Sequence, residues 1–380
     1  MQNRIQEIKS FIEHEDYSLA VRRMLDICLD VDDAQLLHQA ILWSKHFHHH
    51  LKKATIVDET FHQEAYRLLV ALNKYNNHSI NNPETLINVD AISKTYTKGN
   101  FSLKPISIAI QTTNVIGVVG ENGNGKTTFL RCLAGQLSID GGTIDYSLLS
   151  NPDYYTIKHS IAFIPQRIPK WYGLLKDNLH FSASLSGVTG KQNELMVDYM
   201  LERLNLSDYA HLNWNQISSG YRTRFEIARI LLQKPNLLIL DEPLANLDIN
   251  AQQTILTDLR YIAKSAYHPM GVILSSQQLH EVEKVADTVL FIKNGNCLFK
   301  TGEATTITKT GFAIEIETSA TREELAKVLG EDEVQIQFNG GNYTITSATL
   351  TANNIIAKLV TNNISLNYFR DITHSTKRYF

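Results

Sequence analysis

The nine residues Gly120-Glu121-Asn122-Gly123-Asn124-Gly125-Lys126-Thr127-Thr128 constrain this chain more than any other segment. They follow an apolar run, Val115-Ile116-Gly117-Val118-Val119, and lead into Phe129-Leu130-Arg131-Cys132-Leu133, which reads as helix. Strand, glycine-rich loop and helix in that order form the setting of a phosphate-binding loop. Glycines let the backbone bend so that successive N–H groups point inward at phosphate oxygens. A helix beginning near Lys126 adds its positive N-terminal end. Lys126 can reach the β- and γ-phosphates, and the Thr127 hydroxyl can hold Mg²⁺. The expected ligand is a nucleoside triphosphate, contacted by Asn122, Gly123, Asn124, Gly125, Lys126, Thr127 and Thr128.

Composition narrows the setting. A chain of 380 residues suits two or three domains, and its 43% hydrophobic content can build a sizeable core. A net charge of −3 lends no support to a basic nucleic-acid face, so no direct nucleic-acid contact is expected. Three widely spaced cysteines, Cys28, Cys132 and Cys297, point to a reducing cytosol, with neither a disulfide framework nor a metal knuckle. The first residues carry no apolar signal-peptide core, and no apolar run approaches the roughly 18 residues that span a bilayer. A role at a membrane would require another chain to supply the spanning part.

Three segments follow from the patterning. Residues 1–80 read as a helical module. Ile5, Ile8, Phe11 and Ile12 recur at helical spacing, as do Val21, Met24, Leu25 and Cys28. A third helix starts near Asp32-Asp33 and carries Leu36, Leu37, Ala40 and Ile41, and a fourth holds Phe61, Ala65, Leu68, Leu69 and Leu72. The polar stretch from Asn76 to Pro83 reads as a linker. The cluster His46, His48, His49 and His50 makes a metal site conceivable, but neighbours in sequence point in different directions on a helix, so a solvated helix end is the expectation. From residue 86 to 303, strand-like runs (Val115–Val119, Leu237–Leu240, Val272–Leu274, Val289–Ile292) alternate with helical patterns, the signature of an α/β fold around a mostly parallel sheet. Residues 310–380 read strand, helix, strand, strand, helix, strand. A capping box opens at Thr321, and a hairpin turn lies at Asn339-Gly340-Gly341. That order fits a split β-α-β, ferredoxin-like extension; an irregular β/α appendage is the alternative.

A second site motif is Leu237-Leu238-Ile239-Leu240-Asp241-Glu242-Pro243, an apolar strand ending in two acids. Asp241 can support Mg²⁺ beside the phosphate loop, and Glu242 can polarise an attacking water. Between the two motifs, Ile217-Ser218-Ser219-Gly220-Tyr221 opens a helix carrying Arg222, Arg224 and Arg229, with Ser218 in the position of a cap. This order of motifs resembles the ATP-binding cassette (ABC) family of P-loop NTPases, over roughly Leu86 to Gly302. Ser218, Ser219 and Gly220 stand where that family has its signature segment. Tyr96 lies where it stacks an aromatic on adenine. Gln166, in Phe163-Ile164-Pro165-Gln166, resembles its glutamine that senses metal and attacking water, and Asp248, in Ala245-Asn246-Leu247-Asp248, lies in its loop between cassettes.

The resemblance implies an ATP hydrolase that needs Mg²⁺, working as a head-to-tail cassette homodimer with ATP sandwiched at the interface. Each ATP would touch the phosphate loop of one chain and Ser218, Ser219 and Gly220 of the other. It further implies a cytoplasmic subunit, peripheral on the membrane, that drives export through separate membrane-spanning subunits. The C-terminal extension and the ending from Tyr368 to Arg378 resemble those of exporter-type members. Residues 167–216 would form the helical subdomain. Trp171 and Tyr172 would either receive the membrane partner or pack locally. Two departures stand out. The signature reads Ile-Ser-Ser-Gly-Tyr where the family most often has Leu-Ser-Gly-Gly-Gln. Gln277 replaces the histidine that follows the last core strand, and His280 is displaced onto the next helix as a surface residue. An amide can donate to the γ-phosphate but carries no charge, which weakens transition-state stabilisation by about one to a few kcal/mol. Two other readings remain open: a soluble cassette ATPase acting on a macromolecule, and a slow nucleotide switch. Copurification with a membrane protein separates the first from a transporter subunit, and a turnover assay separates the second.

Overall fold

The structure is a computed structural model that describes residues 2–53, 57–75, 83–99, 101–147, 149, 152–245, 247–300, 312–330 and 333–373. Most of the expected linker, Asn246, the junction around 303–310 and the ending from His374 to Arg378 lie outside the described residues. The chain divides into two compact units, Met1–Gln277 with Val285–Leu298, and Gln278–Lys284 with Phe299–Phe380.

The first unit begins with four helices, α1 (Gln2–Glu13), α2 (Tyr17–Asp30), α3 (Ala34–Lys53) and α4 (Glu59–Leu72). Carboxylates start three of them. Asp16 accepts from the Leu19 amide, Asp33 from those of Gln35 and Leu36, and Asp58 from that of Phe61. The apolar stripes read from the sequence are buried except for Phe11 and Ile12, which are half-buried at the end of α1, and Trp43 stacks on Phe61 at 4.7 Å while its Nε1 donates to the Phe61 carbonyl at 3.0 Å.

The α/β segment follows as β1 (Thr85–Thr95), β2 (Ser102–Gln111), β3 (Val115–Val119), α5 (Lys126–Leu133), β4 (Gly141–Asp145), α6 (Tyr154–Ser160), β5 (Ile161–Ile164), α7 (Leu175–Leu185), α8 (Gly190–Arg203), α9 (Ser219–Leu231), β6 (Leu237–Leu240), α10 (Ile249–Ala263) and β7 (Gly271–Ser276). After α11 (Leu279–Glu283), which groups with the second unit, β8 (Thr288–Lys293) and β9 (Asn296–Lys300) complete the sheet. Six strands run in the order β5-β6-β7-β3-β8-β9, parallel from β5 through β8. Strands β3, β6 and β7 are buried along their whole length, which is why they read as unbroken apolar runs. A separate antiparallel sheet, β2-β1-β4, shares a core with them through Ile87, Leu103, Phe129, Leu130 and Ile273.

The N-terminal helices pack into this unit; α2 and α3 lie on α8. A buried polar network joins them to the α/β segment. The Arg203 guanidinium, whose side chain is 1% exposed, donates Nε to Asp26 Oδ1 at 2.6 Å and Nη1 to Asp258 Oδ1 at 2.6 Å. Tyr199 donates to the same Asp26 oxygen, and Arg23 pairs with Asp26 while lying over the Tyr261 ring. Asp26 on α2, Arg203 on α8 and Asp258 on α10 are therefore tied at one point.

In the second unit, β10 (Phe312–Glu317), α12 (Arg322–Leu329), β11 (Gln335–Asn339), β12 (Asn342–Ser347), α13 (Ala352–Thr361) and β13 (Tyr368–Asp371) follow in sequence. The sheet order is β11-β12-β10-β13 with every neighbouring pair antiparallel, the split β-α-β topology. Ile314, Leu325, Ile345, Ile355 and Leu359 fill its core. The Thr321–Glu324 capping box is present. Asn339 pairs with Asn342 across Gly340 and Gly341, whose φ values of 59° and 96° suit a two-residue hairpin turn.

Candidate active site

Parallel strands present their carboxyl ends along one edge of a sheet, which is where ligands of such folds bind. Here β3 ends in the phosphate loop, β6 in Asp241 and Glu242, β5 just before Gln166, and β7 just before Gln277. The Asp241 amide donates to the Ile164 carbonyl at 2.9 Å, bringing the end of β5 beside the acidic pair.

The loop's glycines are needed for space. A Cβ on Gly120 would lie 2.2 Å from the Ile292 carbonyl oxygen. Gly125 precedes the first turn of α5 at φ 105°, and a Cβ there would lie 2.6 Å from Phe101. Asn122 and Gly123 are exposed. The buried Asn124 side chain faces the fold: its Oδ1 accepts from the Asn294 amide at 2.9 Å, fixing the loop to the β8–β9 turn. Any phosphate contact from Asn124 would thus come from its backbone.

Lys126 is buried, and its Nζ donates to the carbonyls of Gly120 at 2.6 Å and Glu121 at 3.1 Å. The same Nζ lies 3.0 Å from Glu242 Oε1, an oxygen that is buried without a well-formed hydrogen bond. Proximity without good donor geometry makes this an ion pair, and Lys126 is what balances the Glu242 charge. Glu242 sits at φ 50°, a left-handed conformation that costs a non-glycine residue of order 1 kcal/mol and that clusters at functional sites. Thr127 Oγ1 donates to Asp241 Oδ2 at 2.8 Å. A residue missed in the sequence completes the arrangement: Ser275 Oγ donates to Asp241 Oδ1 and accepts from the Glu242 amide, both at 2.8 Å. Its signal was a serine at the end of an apolar strand whose register aligns Leu274 with Leu240.

Tyr96 stands beside this loop, with Oη 3.3 Å from Thr128 Oγ1 and the residue 38% exposed, at the first turn of α5. Gln166 and Gln277 are exposed at their strand ends. His280 falls on α11, and its side chain lies outside the described residues.

The signature residues occupy a different cleft. Ser218, Ser219, Gly220, Arg224 and Asp248 line it together, and none of its lining residues belongs to the phosphate loop. Ser218 holds the cap position of α9, but its hydroxyl makes no capping bond. A Cβ on Gly220 would press on Leu247 at 3.2 Å. Asp248 caps α10 through the Ala251 amide at 2.9 Å. Tyr221, the unusual fifth residue, packs on Tyr209, and burial together with their hydrogen bond pushes its hydroxyl up to about 12. Trp171 is interior: it stacks on Trp214 at 5.0 Å and donates to Glu226 Oε2 at 3.1 Å. Tyr172 is 82% exposed. Local packing is thus the place of Trp171, and Tyr172 alone of the two offers a surface.

The family described as "ABC transporter" matches residues 103–245. An uncharacterised ABC transporter ATP-binding protein of Bacillus subtilis strain 168, YxlF, is 32% identical over 217 residues, covering 57% of this chain and 70% of that protein. The phosphonates import ATP-binding protein PhnC 2 of Oceanobacillus iheyensis is 26% identical over 231 residues, covering 57% of this chain and 89% of its own length. Among solved structures, cbiO1 of Clostridium perfringens, part of the ABC transporter complex cbiONQ, superposes with a TM-score of 0.51 at 25% identity, covering 57% of this chain and 88% of its own.

Proposed function

The chain belongs to the ABC transporter ATP-binding family, and from that premise we propose that it drives export through separate membrane-spanning subunits as one half of an ATP-sandwiching cassette pair. It is an ATP-binding subunit of an ABC transporter and an ATP hydrolase. The observation that carries the mechanistic reading is the Lys126–Glu242 pair at the mouth of the phosphate loop. Phosphate oxygens are stronger acceptors than the two loop carbonyls and compete with Glu242 for the ammonium. As Lys126 turns to the phosphates, Glu242 loses its counter-charge. It becomes free to orient water and take its proton, with Ser275 holding the Glu242 backbone in place.

Thr127 and Asp241 offer two hard oxygens already joined at 2.8 Å, a donor set that fits Mg²⁺. Mg²⁺, when bound, supplies charge neutralisation on the phosphates. Tyr96 would stack on adenine, Gln166 would orient the attacking water, and Gln277 would donate to the γ-phosphate. Ser218, Ser219 and Gly220 of a second chain would close over the same γ-phosphate, with the positive end of α9 directed at it. Asp248, in the same cleft, would couple the two cassettes.

No helix among the described residues is long and apolar enough to cross a membrane; the spanning partner of the proposed transporter would hold this subunit on the cytoplasmic face. Export is supported by the split β-α-β unit after the cassette, the extension of exporter-type members; relatives named for import, such as PhnC 2, define the opposite outcome. Purification of the untagged chain from detergent-solubilised membranes tests the partner. A copurifying polytopic protein is expected, and a ribosome or nucleic acid in its place would refute the assignment. Direction is read from metabolite pools in cells carrying wild type or Glu242→Gln. Export predicts a solute that accumulates inside the cells with the variant, and depletion of a solute would mean import.

A further inference from the structure

The histidines at the end of α3 divide between two faces, as residues four apart on a helix share a face and adjacent ones do not. Ser44 and His48 turn to α8, where Ser44 Oγ donates to Glu202 Oε2 at 2.6 Å and His48 Nδ1 lies 2.9 Å from the same oxygen. His46 and His50 turn instead to the start of α4. Their Nε2 atoms are 3.1 Å apart, and Asp58, which caps α4, places Oδ1 3.9 Å from His46 Nε2 and Oδ2 3.7 Å from His50 Nε2. The three candidate donor atoms all lie within 4.8 Å of one another. The imidazoles are largely shielded, at 26% and 13% exposed, while Asp58 is half exposed and leaves a way in.

A tetrahedral ion with bonds of about 2.0–2.1 Å holds its ligand atoms roughly 3.3 Å apart. The two imidazoles are already at that spacing, and a small rotation of the exposed Asp58 carboxylate brings the third donor in. Asp58 Oδ1 keeps the Phe61 amide at 2.9 Å, so Oδ2 is the oxygen available to an ion. A further contact selects the tautomer. Glu64 Oε2 lies 3.0 Å from His46 Nδ1. A carboxylate there accepts from Nδ1–H, which leaves the Nε2 lone pair of the neutral ring aimed at the shared point. This is the outer carboxylate that usually accompanies a metal-bound histidine.

We propose that His46, His50 and Asp58 bind one divalent transition-metal cation of the zinc class, with Glu64 orienting His46 and a fourth position open. Two nitrogens and one carboxylate oxygen suit Zn²⁺ and its neighbours and disfavour Mg²⁺ or Ca²⁺, which take oxygen. The ion pins the end of α3 to the start of α4. Because the opposite face of α3 holds Glu202 of α8, the bound ion braces the helix through which the N-terminal segment grips the cassette.

The test uses the untagged full-length chain and Zn²⁺ alone, titrated against a chromogenic chelator. One Zn²⁺ per chain is expected at micromolar free metal or below. The double substitution His46→Ala, His50→Ala should weaken binding at least 100-fold while ATP affinity is unchanged, which also shows that the variant is folded. Glu64→Gln should weaken binding about 10- to 100-fold. Asp58→Asn keeps a good helix cap and should also lose affinity, which covers the case in which the double variant does not fold. Co²⁺ in place of Zn²⁺ should give the visible absorption of a four-coordinate site. Absence of stoichiometric Zn²⁺ on the wild-type chain would overturn the proposal and leave a His46–His50 hydrogen bond. Equal affinity in wild type, the double variant and Asp58→Asn would overturn it by placing the ion elsewhere.

Discussion

Replacing Asp26 by alanine tests whether the N-terminal helices are structurally part of the cassette. Asp26 is the acceptor for Arg203 Nε at 2.6 Å and Tyr199 Oη at 3.1 Å, and it pairs with Arg23. The change leaves the almost fully buried Arg203 with Asp258 as its remaining carboxylate. Breaking a buried pair by removing one partner costs about 3–5 kcal/mol. Since Asp258 still offsets part of the Arg203 charge, the lower end applies, about 3 kcal/mol. For a unit of this size that loss lowers the melting temperature by roughly 5 °C. Burial by itself would push the Asp26 carboxyl up, but Arg203, Arg23 and the hydrogen bonds from Arg203 and Tyr199 outweigh it and hold the group below its ordinary 3.8. A depressed folded-state pKa contributes stability that is present above the unfolded value and lost as pH falls through the folded one. The gap between wild type and Asp26→Ala should therefore be full at neutral pH and narrow as pH drops below about 3.8. Calorimetry of both full-length proteins across pH reads it. A melting temperature lowered by less than about 2 °C at neutral pH would refute the claim that this network joins helices and cassette, as would a gap that does not narrow in acid.

Two further substitutions probe the nucleotide site. Tyr96→Ala should weaken ATP binding by about 1 kcal/mol with little effect on maximum turnover, because stacking acts on the ground state; an unchanged dissociation constant in a nucleotide titration would make Tyr96 a packing residue. Gln277→Ala should lower turnover at saturating Mg-ATP while ATP binding changes little, and Gln277→His should keep or raise it, since an imidazole can add charge at the same point. Identical rates for wild type and Gln277→Ala would remove Gln277 from the site and favour a slow nucleotide switch.

The parts legible in the sequence were those encoded locally. The phosphate loop, the acid-ended strand Leu237–Leu240, the Thr321 capping box and the Gly340-Gly341 turn each lie within a few residues and carry their own geometry. So do the helix stripes of the first 75 residues. What the sequence hid was pairing over long separations. Nothing around Asp26 announces Arg203, because helical periodicity identifies a buried face without identifying what it meets. Ser275 reads as an ordinary strand residue until register sets it beside Asp241. Trp171 was open to either a partner or local packing until Trp214 and Glu226 were seen to enclose it. The histidine run was read as a solvated helix end because neighbours on a helix diverge; adjacency says nothing of His46 and His50, four residues apart, whose donor atoms lie near Asp58 from the start of the next helix.

The measurement that bears most directly on the account is ATP binding and steady-state turnover of Glu242→Gln, side by side with wild type. The amide keeps the shape of the side chain but can neither accept a proton from water nor pair as an anion with Lys126, which lies 3.0 Å away. ATP affinity should be held or raised, because the phosphates no longer compete with a carboxylate for the ammonium. Turnover should fall by about 10²- to 10⁴-fold, the usual contribution of a positioned base. Turnover close to wild type with ATP still bound would contradict the assignment of Glu242 and the mechanism built on it.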